Sequence, residues 1–362
     1  MSKFIISVDI GSTNIKAILI NHENKLVKQL ITPLIYHKSV EGVFEIEPVQ
    51  LYNDVLNVIK SVIKNQDKSY MYGICFSCQR SSLIAWNSET GKNVCNIISW
   101  RDTRNTSIVK YYNERLLSRL LKWTSSILSK FIKSEYLKTL KNFSYAINQA
   151  PMKIVWVLYT FPEARKLEKQ NKLRVGTLDT WILNKLTKNK IFVTDYSSAS
   201  NGLLDPFTLK WNKWLCKSLG FSTELLPKLV ETDWDFGHTD SEIFGYPIKI
   251  LASIGDQQAS LFGNYCYEPE DVKISLGTSA SINITKKSVL GVANDFYPTI
   301  AWKLTSGDIA YSQENLVKNF GRILEDSANV NTTVENCAFN LFRKFENAID
   351  NGIIHAKTKT LM

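Results

Sequence analysis

The chain has 362 residues, is 44% hydrophobic and carries a formal net charge of +10; this excludes a disordered polymer and suits two domains better than one. Its apolar runs fall far short of the roughly 20 residues of a membrane span, and the opening MSKFIISVDIGS has no signal layout, so a soluble, cytoplasmic protein is expected. Six cysteines and four histidines are too sparse for a disulfide framework or a metal cluster. Most lysines are scattered singly, which reads as a solvated surface and gives no nucleic-acid motif.

Phe4–Asp9 reads as a strand, residues 10–14 as a turn and Ile15–Ile20 as a second strand. In this hairpin Gly11 permits close backbone approach, while Ser12, Thr13 and Asn14 offer donors to phosphate oxygens. Asp9 at the strand end could hold Mg²⁺ through water, and Lys16 supplies positive charge. A surface hairpin whose Asp caps its own turn fits the same residues. Residues 49–64 space Leu51, Val55, Val58, Ile59 and Val62 on one helical face. Met71–Ser77 and Ser82–Trp86 follow as strands. Cys75 and Cys78 fall inside the first of these and read as core thiols. Arg80 stands just past that buried strand and requires a partner or a ligand. Trp100 offers a flat apolar wall of the kind that lines sugar pockets.

Helical patterns are expected at 105–122, 152–160 and 178–187. Leu251–Ser253 and Val272–Leu276 read as strands, with a helix over 257–264 between them. Strands alternating with helices indicate an α/β architecture. Val8–Thr13 and Ile274–Ser279 echo each other as strand, Gly and hydroxyl residues, suggesting two related domains. Asp256 stands at a strand end and a helix start, with Gln257 beside it. Ligand crevices of open α/β sheets lie at such strand ends, where a carboxylate can take a proton from an attacking hydroxyl. A simple helix N-cap, the commonest use of such a carboxylate, is the reading that the local residues favour for Asp256.

The order and spacing of Val8–Lys16, Gly73–Asp102, Gly176–Pro206, Phe236–Gly263 and Lys273–Ser281 resemble the FGGY carbohydrate kinase family, in particular its glycerol kinase branch. The resemblance implies an actin-like, ribonuclease H-like fold of two related domains with a cleft, the second incomplete. The boundaries it suggests are 1–264, with an insert at about 105–150, and 265–362. It implies phosphorylation of a small polyol or sugar by Mg-ATP, with glycerol as the leading substrate, a ketose as an alternative, and a homodimer as one assembly. By resemblance Asp256 is the catalytic base, and Arg80, Ser81, Trp100, Asn148 and Gln257 contact the substrate. Ser12, Thr13, Asn14, Lys16, Gly277 and Thr278 contact the nucleotide, and Asp9 the metal.

Three positions depart from the branch: Ser81 stands where it has Glu, Asn148 falls near a pocket Tyr, and Ser281 replaces a Phe. Sites that lose polar contacts lose discrimination first. After Asp308 no Gly-rich adenine-binding run follows, so weak or absent kinase activity of the chain as written, or a binding protein on a kinase scaffold, is the accompanying expectation. Residues 115–141 repeat apolar residues at three- and four-residue steps among seven Arg and Lys, a basic amphipathic pattern. Two readings apply: peripheral contact with an anionic membrane, and a helical hairpin packed over the first domain with its lysines in water. The second is the expected one.

Overall fold

The computed structural model describes residues 3–39, 41–276, 280–292 and 296–317. In chain order the elements are β1 (Phe4–Ile10), β2 (Asn14–Asn21), β3 (Leu26–Pro33), β4 (His37–Lys38), β5 (Phe44–Ile46), α1 (Pro48–Ile63), β6 (Met71–Cys78), β7 (Leu83–Asn87) and β8 (Ile97–Ile98). Then come α2 (Thr106–Glu114), α3 (Leu116–Leu128), α4 (Glu135–Asn142), α5 (Ala150–Thr160), α6 (Pro162–Lys169), β9 (Leu173–Thr177), α7 (Leu178–Leu186), β10 (Val193–Asp195) and α8 (Tyr196–Ala199). The rest are β11 (Leu204–Asp205), β12 (Lys210–Trp211), α9 (Lys213–Ser218), β13 (Lys228–Val230), α10 (Ser241–Phe244), β14 (Ile250–Gly255), α11 (Asp256–Gly263), β15 (Val272–Leu276), β16 (Ala280–Lys286), β17 (Tyr297–Lys303) and β18 (Ile309–Val317). The expected α/β alternation is present.

The chain divides into two compact units. Of the described residues the first takes 3–39, 41–119, 144–259 and 302–308. Its main sheet runs β14-β6-β1-β2-β3, with β14, β6 and β1 parallel and β2 and β3 antiparallel. β-branched Ile6, Val8 and Ile10 alternate into the core, as half-buried strands do. Over this sheet lies α1, begun by Pro48 and capped by Glu47, whose carboxylate accepts from Val49 N and Gln50 N. Leu51, Val55, Val58, Ile59 and Val62 form its buried face, as the spacing predicts. Trp181, Ile182 and Leu186 of α7 belong to the same core. A second sheet, β4-β5-β8-β7-β9, shares its core with α5 and α6.

Cys75 and Cys78 both lie on β6. Residues three apart on a strand point to opposite faces, so the pair cannot share a metal or form a local disulfide. Burial pushes the Cys75 thiol up to about 11.

Of the described residues the second unit takes 120–143, 260–276, 280–292, 296–301 and 309–317. Its sheet runs β15-β16-β18-β17. Ser281 is buried on β16. Within this unit α4 is latched to the segment after β16. Glu135 Oε2 accepts from Gly291 N at 2.5 Å, and Asn142 Nδ2 donates to Val292 O at 2.7 Å. A Cβ on Gly291 would sit 2.6 Å from Glu135 O, so the latch closes only on glycine. Gly291→Ala is expected to release α4, read as faster amide exchange over residues 135–142, with a cost of about 1–3 kcal/mol.

The helix expected over 105–122 is two helices. Arg115 takes φ −58°, ψ 140° and ends α2, because no periodic pattern can supply helical backbone at a residue whose dihedrals are extended. The helical hairpin expected at 115–141 is present as α3 and α4, but residues 120–143 group with the second unit and not with the first. Ser125 is the buried residue of α3 and α4 has none.

Candidate active site

The parallel register of β1, β6 and β14 assembles the site. Asp9 lies opposite Ser77, which lies opposite Ile254; one step on, Ile10, Cys78 and Gly255 align. The residues that follow each strand therefore share one sheet edge: the hairpin at 11–14, then Gln79–Ser81, then Asp256 and Gln257. Carboxyl-end edges of parallel strands are where α/β proteins place ligands.

Asp9 is largely buried and accepts a hydrogen bond from Ser77 Oγ. Burial raises its carboxyl above the ordinary range, while the Ser77 bond and Lys16, its cross-strand neighbour on β2, pull it down. A desolvated carboxylate of this kind suits a cation. Cys78 reports the wider field. Burial first, then Asp179, Asp9, Asp256 and Asp195, push its thiol well above the usual value. Four carboxylates thus act electrostatically on this strand end.

Ser12 Oγ accepts from Trp100 Nε1 at 3.0 Å, and Ser12 O accepts from the Tyr36 hydroxyl at 2.8 Å. The indole occupies an acceptor position of the hydroxyl and leaves its proton to donate outward. Ser12 is therefore poised for an acceptor such as a phosphate oxygen, and Trp100 is fixed to the hairpin as well as forming a wall. Thr13 and Asn14 are exposed at the turn. Gln79 binds the hairpin twice, through its N to Ile10 O at 2.9 Å and its Nε2 to Gly11 O at 3.0 Å. Ser82 Oγ donates to Gln79 Oε1 and accepts from Trp100 N at 3.1 Å.

Arg80 Nη1 donates to Ser200 O at 3.2 Å. Its aliphatic stem passes against Gly255, where a Cβ would meet Arg80 Cδ at 2.9 Å; the glycine before Asp256 is what admits the arginine. Gly255 N in turn donates to Ser197 Oγ at 2.8 Å. Ser197 is oriented by Asp195, which caps α8 and accepts from the Ser197 hydroxyl at 2.6 Å. One short helix thus holds both the arginine and the start of α11. Beside it, Asp179 accepts from Thr177 and Thr194 hydroxyls at 2.5 and 2.8 Å, and burial pushes it up to about 6.

Asp256 opens α11 and its Oδ1 accepts from Gln257 N at 2.7 Å. Ser81 has a left-handed backbone, φ 65°, and its carbonyl accepts from Lys153 Nζ at 2.7 Å. The same amine donates to Ser99 O at 2.8 Å. A fully buried lysine therefore ties the Arg80 turn to the Trp100 turn. Burial pushes its amine down to about 7, opposed by nearby Asp102.

Of the residues named from sequence, Asp9, Ser12, Lys16, Arg80, Ser81, Trp100, Asp256 and Gln257 gather on this edge or its immediate supports. Asn148 lies in the turn before α5, and no described hydrogen bond joins it to Arg80, Trp100 or Asp256. Gly277 and Thr278 lie outside the described residues. Gln79, Ser197, Asp195 and Lys153 were not named. A lone lysine inside the apolar run of α5 was the available signal for the last of these.

Comparison with known proteins supplies the family. The N-terminal domain model of the FGGY family of carbohydrate kinases matches residues 4–263. Glycerol kinase 5 of Mus musculus is 32% identical over 87% of this chain and 60% of its own length. Glycerol kinase of Petrotoga mobilis is 30% identical over 88% of this chain and 61% of its own. The chain thus spans about three-fifths of these relatives. Plasmodium falciparum glycerol kinase, solved with ADP, superposes with a TM-score of 0.78 at 23% identity, over 90% of this chain and 63% of that one. Gluconate kinase of Lactobacillus acidophilus gives 0.74 at 21% identity, over 90% and 62%. These two share the fold. Among the described residues no helix is long and apolar enough to cross a membrane. With a family model across residues 4–263 and relatives at 30–32% identity, the chain belongs to the FGGY family of carbohydrate kinases.

Proposed function

We propose that the chain carries the acceptor half of a phosphotransferase site for a small polyol, with glycerol as substrate and ATP as phosphoryl donor. The observation that carries this reading is the convergence of Asp9, Ser12, Arg80 and Asp256 at the ends of three parallel strands. ATP supplies the phosphoryl group. Ser12, Thr13, Asn14 and Lys16 suit its oxygens, because the hydroxyls and amide keep donors facing outward and Lys16 adds charge. Asp9 suits Mg²⁺. Gly277 and Thr278 belong to the same proposal on resemblance alone.

Arg80 and Gln257 orient the polyol, and Trp100 shields it from water. Asp256 would take the proton of the attacking hydroxyl onto its carboxylate as that oxygen bonds the γ-phosphorus and the bond from the γ-phosphorus to the β,γ-bridging oxygen breaks, with ADP as the leaving group. Glycerol is favoured over a ketose by the 30–32% identical relatives, which carry glycerol kinase names. Ser81 limits this: its short side chain cannot hold a hydroxyl as the branch's Glu would.

Titration calorimetry with glycerol, a ketose and Mg-ATP tests the reading. Glycerol is expected to bind, and Arg80→Ala to weaken it by about tenfold or more, the scale of a lost charged hydrogen bond. Heat with the ketose and none with glycerol would transfer the site to a sugar. Heat with none of the three would leave a scaffold protein.

A further inference from the structure

The helix α3 is mounted inside out. Two of its serines turn toward the protein, while Thr124 is exposed: Ser125 is buried, and the half-buried Ser118 donates to Tyr112 O at 2.6 Å. Apart from the half-buried Leu121, its large apolar residues turn to water. Leu116 is 70% exposed, Trp123 62% and, just past the helix, Phe131 81%, with Leu120, Ile127 and Ile132 exposed among them. Leu116, Leu120, Trp123 and Ile127 follow one another by four, three and four residues, so they form one stripe.

The charge around the stripe has one sign. Arg115, Arg119, Lys122, Lys130 and Lys133 fall in residues 115–133, and that segment contains no Asp or Glu. The stripe is also held in place, since α4, the next helix, is latched through Glu135 and Asn142. An outward row of Leu, Trp, Ile and Phe edged by Lys and Arg is what an interfacial helix presents to a bilayer. A second copy is a poor occupant, because pairing two such faces would juxtapose like charges with no acid between them.

We propose that α3 and the residues after it, through Lys133, form a docking surface for an anionic lipid membrane, on which the protein lies without spanning it. The apolar stripe enters the headgroup and acyl boundary, with Trp123 at its level, and the five cations meet the lipid phosphates and carboxylates.

Co-sedimentation of the full chain with vesicles tests this. Wild type is expected to pellet with phosphatidylcholine vesicles containing phosphatidylserine, at least about tenfold more than with phosphatidylcholine alone, and to be released by salt. Tryptophan emission should shift to the blue on the anionic vesicles in wild type and not in Trp123→Phe, which removes one of nine tryptophans. The double variant Leu120→Glu/Phe131→Glu alters exposed positions and should return pelleting to the neutral-vesicle level. Lys130→Glu/Lys133→Glu, which leaves the stripe intact, should lower it several-fold and keeps the test valid if the first variant misfolds. Equal pelleting of wild type and both variants, no pelleting at all, or a self-association that the first variant abolishes without any vesicle binding would each overturn the proposal.

Discussion

Asp256→Asn is expected to lower phosphoryl transfer to glycerol by about 10²–10⁴-fold, the usual worth of a positioned general base, while glycerol binding changes by no more than a few-fold. The substitution separates the two roles that a carboxylate at a helix start can play. Asn and Asp are equivalent as helix caps, and Asn retains an oxygen to accept from Gln257 N, the bond that Asp256 Oδ1 makes at 2.7 Å. If Asp256 only began α11, the variant would match wild type in melting temperature and in turnover alike. If Asp256 takes the proton, the melting temperature holds and turnover falls, because an amide has no basic oxygen at neutral pH. Radiolabelled phosphate transfer, followed long enough to register slow turnover, measures the difference. Equal rates would return Asp256 to the role of a cap.

The sequence announces the local parts of this site and leaves out what joins them. The β1–β2 hairpin, the buried face of α1 and strand β15 are legible because each is fixed by a short pattern: alternation, 3.6-residue spacing, a Gly between apolar runs. The start of α11 is displaced by one residue, since the helix takes in Asp256 itself. What the spacing does not carry is contact across long separations. Trp100 reads as a wall, yet its indole N–H reaches Ser12, 88 residues away. Ser197 reads as part of a polar run, yet its hydroxyl holds Gly255 N, 58 residues on. Helical periodicity likewise gives the apolar stripe of α3 without its direction. A stripe turned to water and a stripe turned to a core have the same spacing, and Ser125 as the buried residue decides between them.

Lys153→Met is expected to make the protein less stable than wild type by an amount that grows as pH rises from 7 to 10. In the unfolded chain the amine keeps its proton to about 10.5; buried in α5 it gives it up near 7. Between these values the unfolded chain binds more protons, so stability rises with pH. The contribution is complete above the unfolded value and is lost as pH falls through the folded one. Across that window it amounts to about 5 kcal/mol. Methionine matches the stem but removes the donor, leaving Ser81 O and Ser99 O without the amine, at a further cost of about 1–3 kcal/mol for each buried acceptor. Asp179, raised by burial to about 6, gives an opposite slope at lower pH, but it is present in both proteins and cancels in their difference. Chemical denaturation at several pH values measures that difference, and two parallel curves would show that Lys153 does not titrate in the folded state. The same variant frees the left-handed turn at Ser81 and the Ser99 turn from each other. Arg80 and Trp100 are carried by those turns, so glycerol affinity should fall by about tenfold even at a pH where the variant is fully folded.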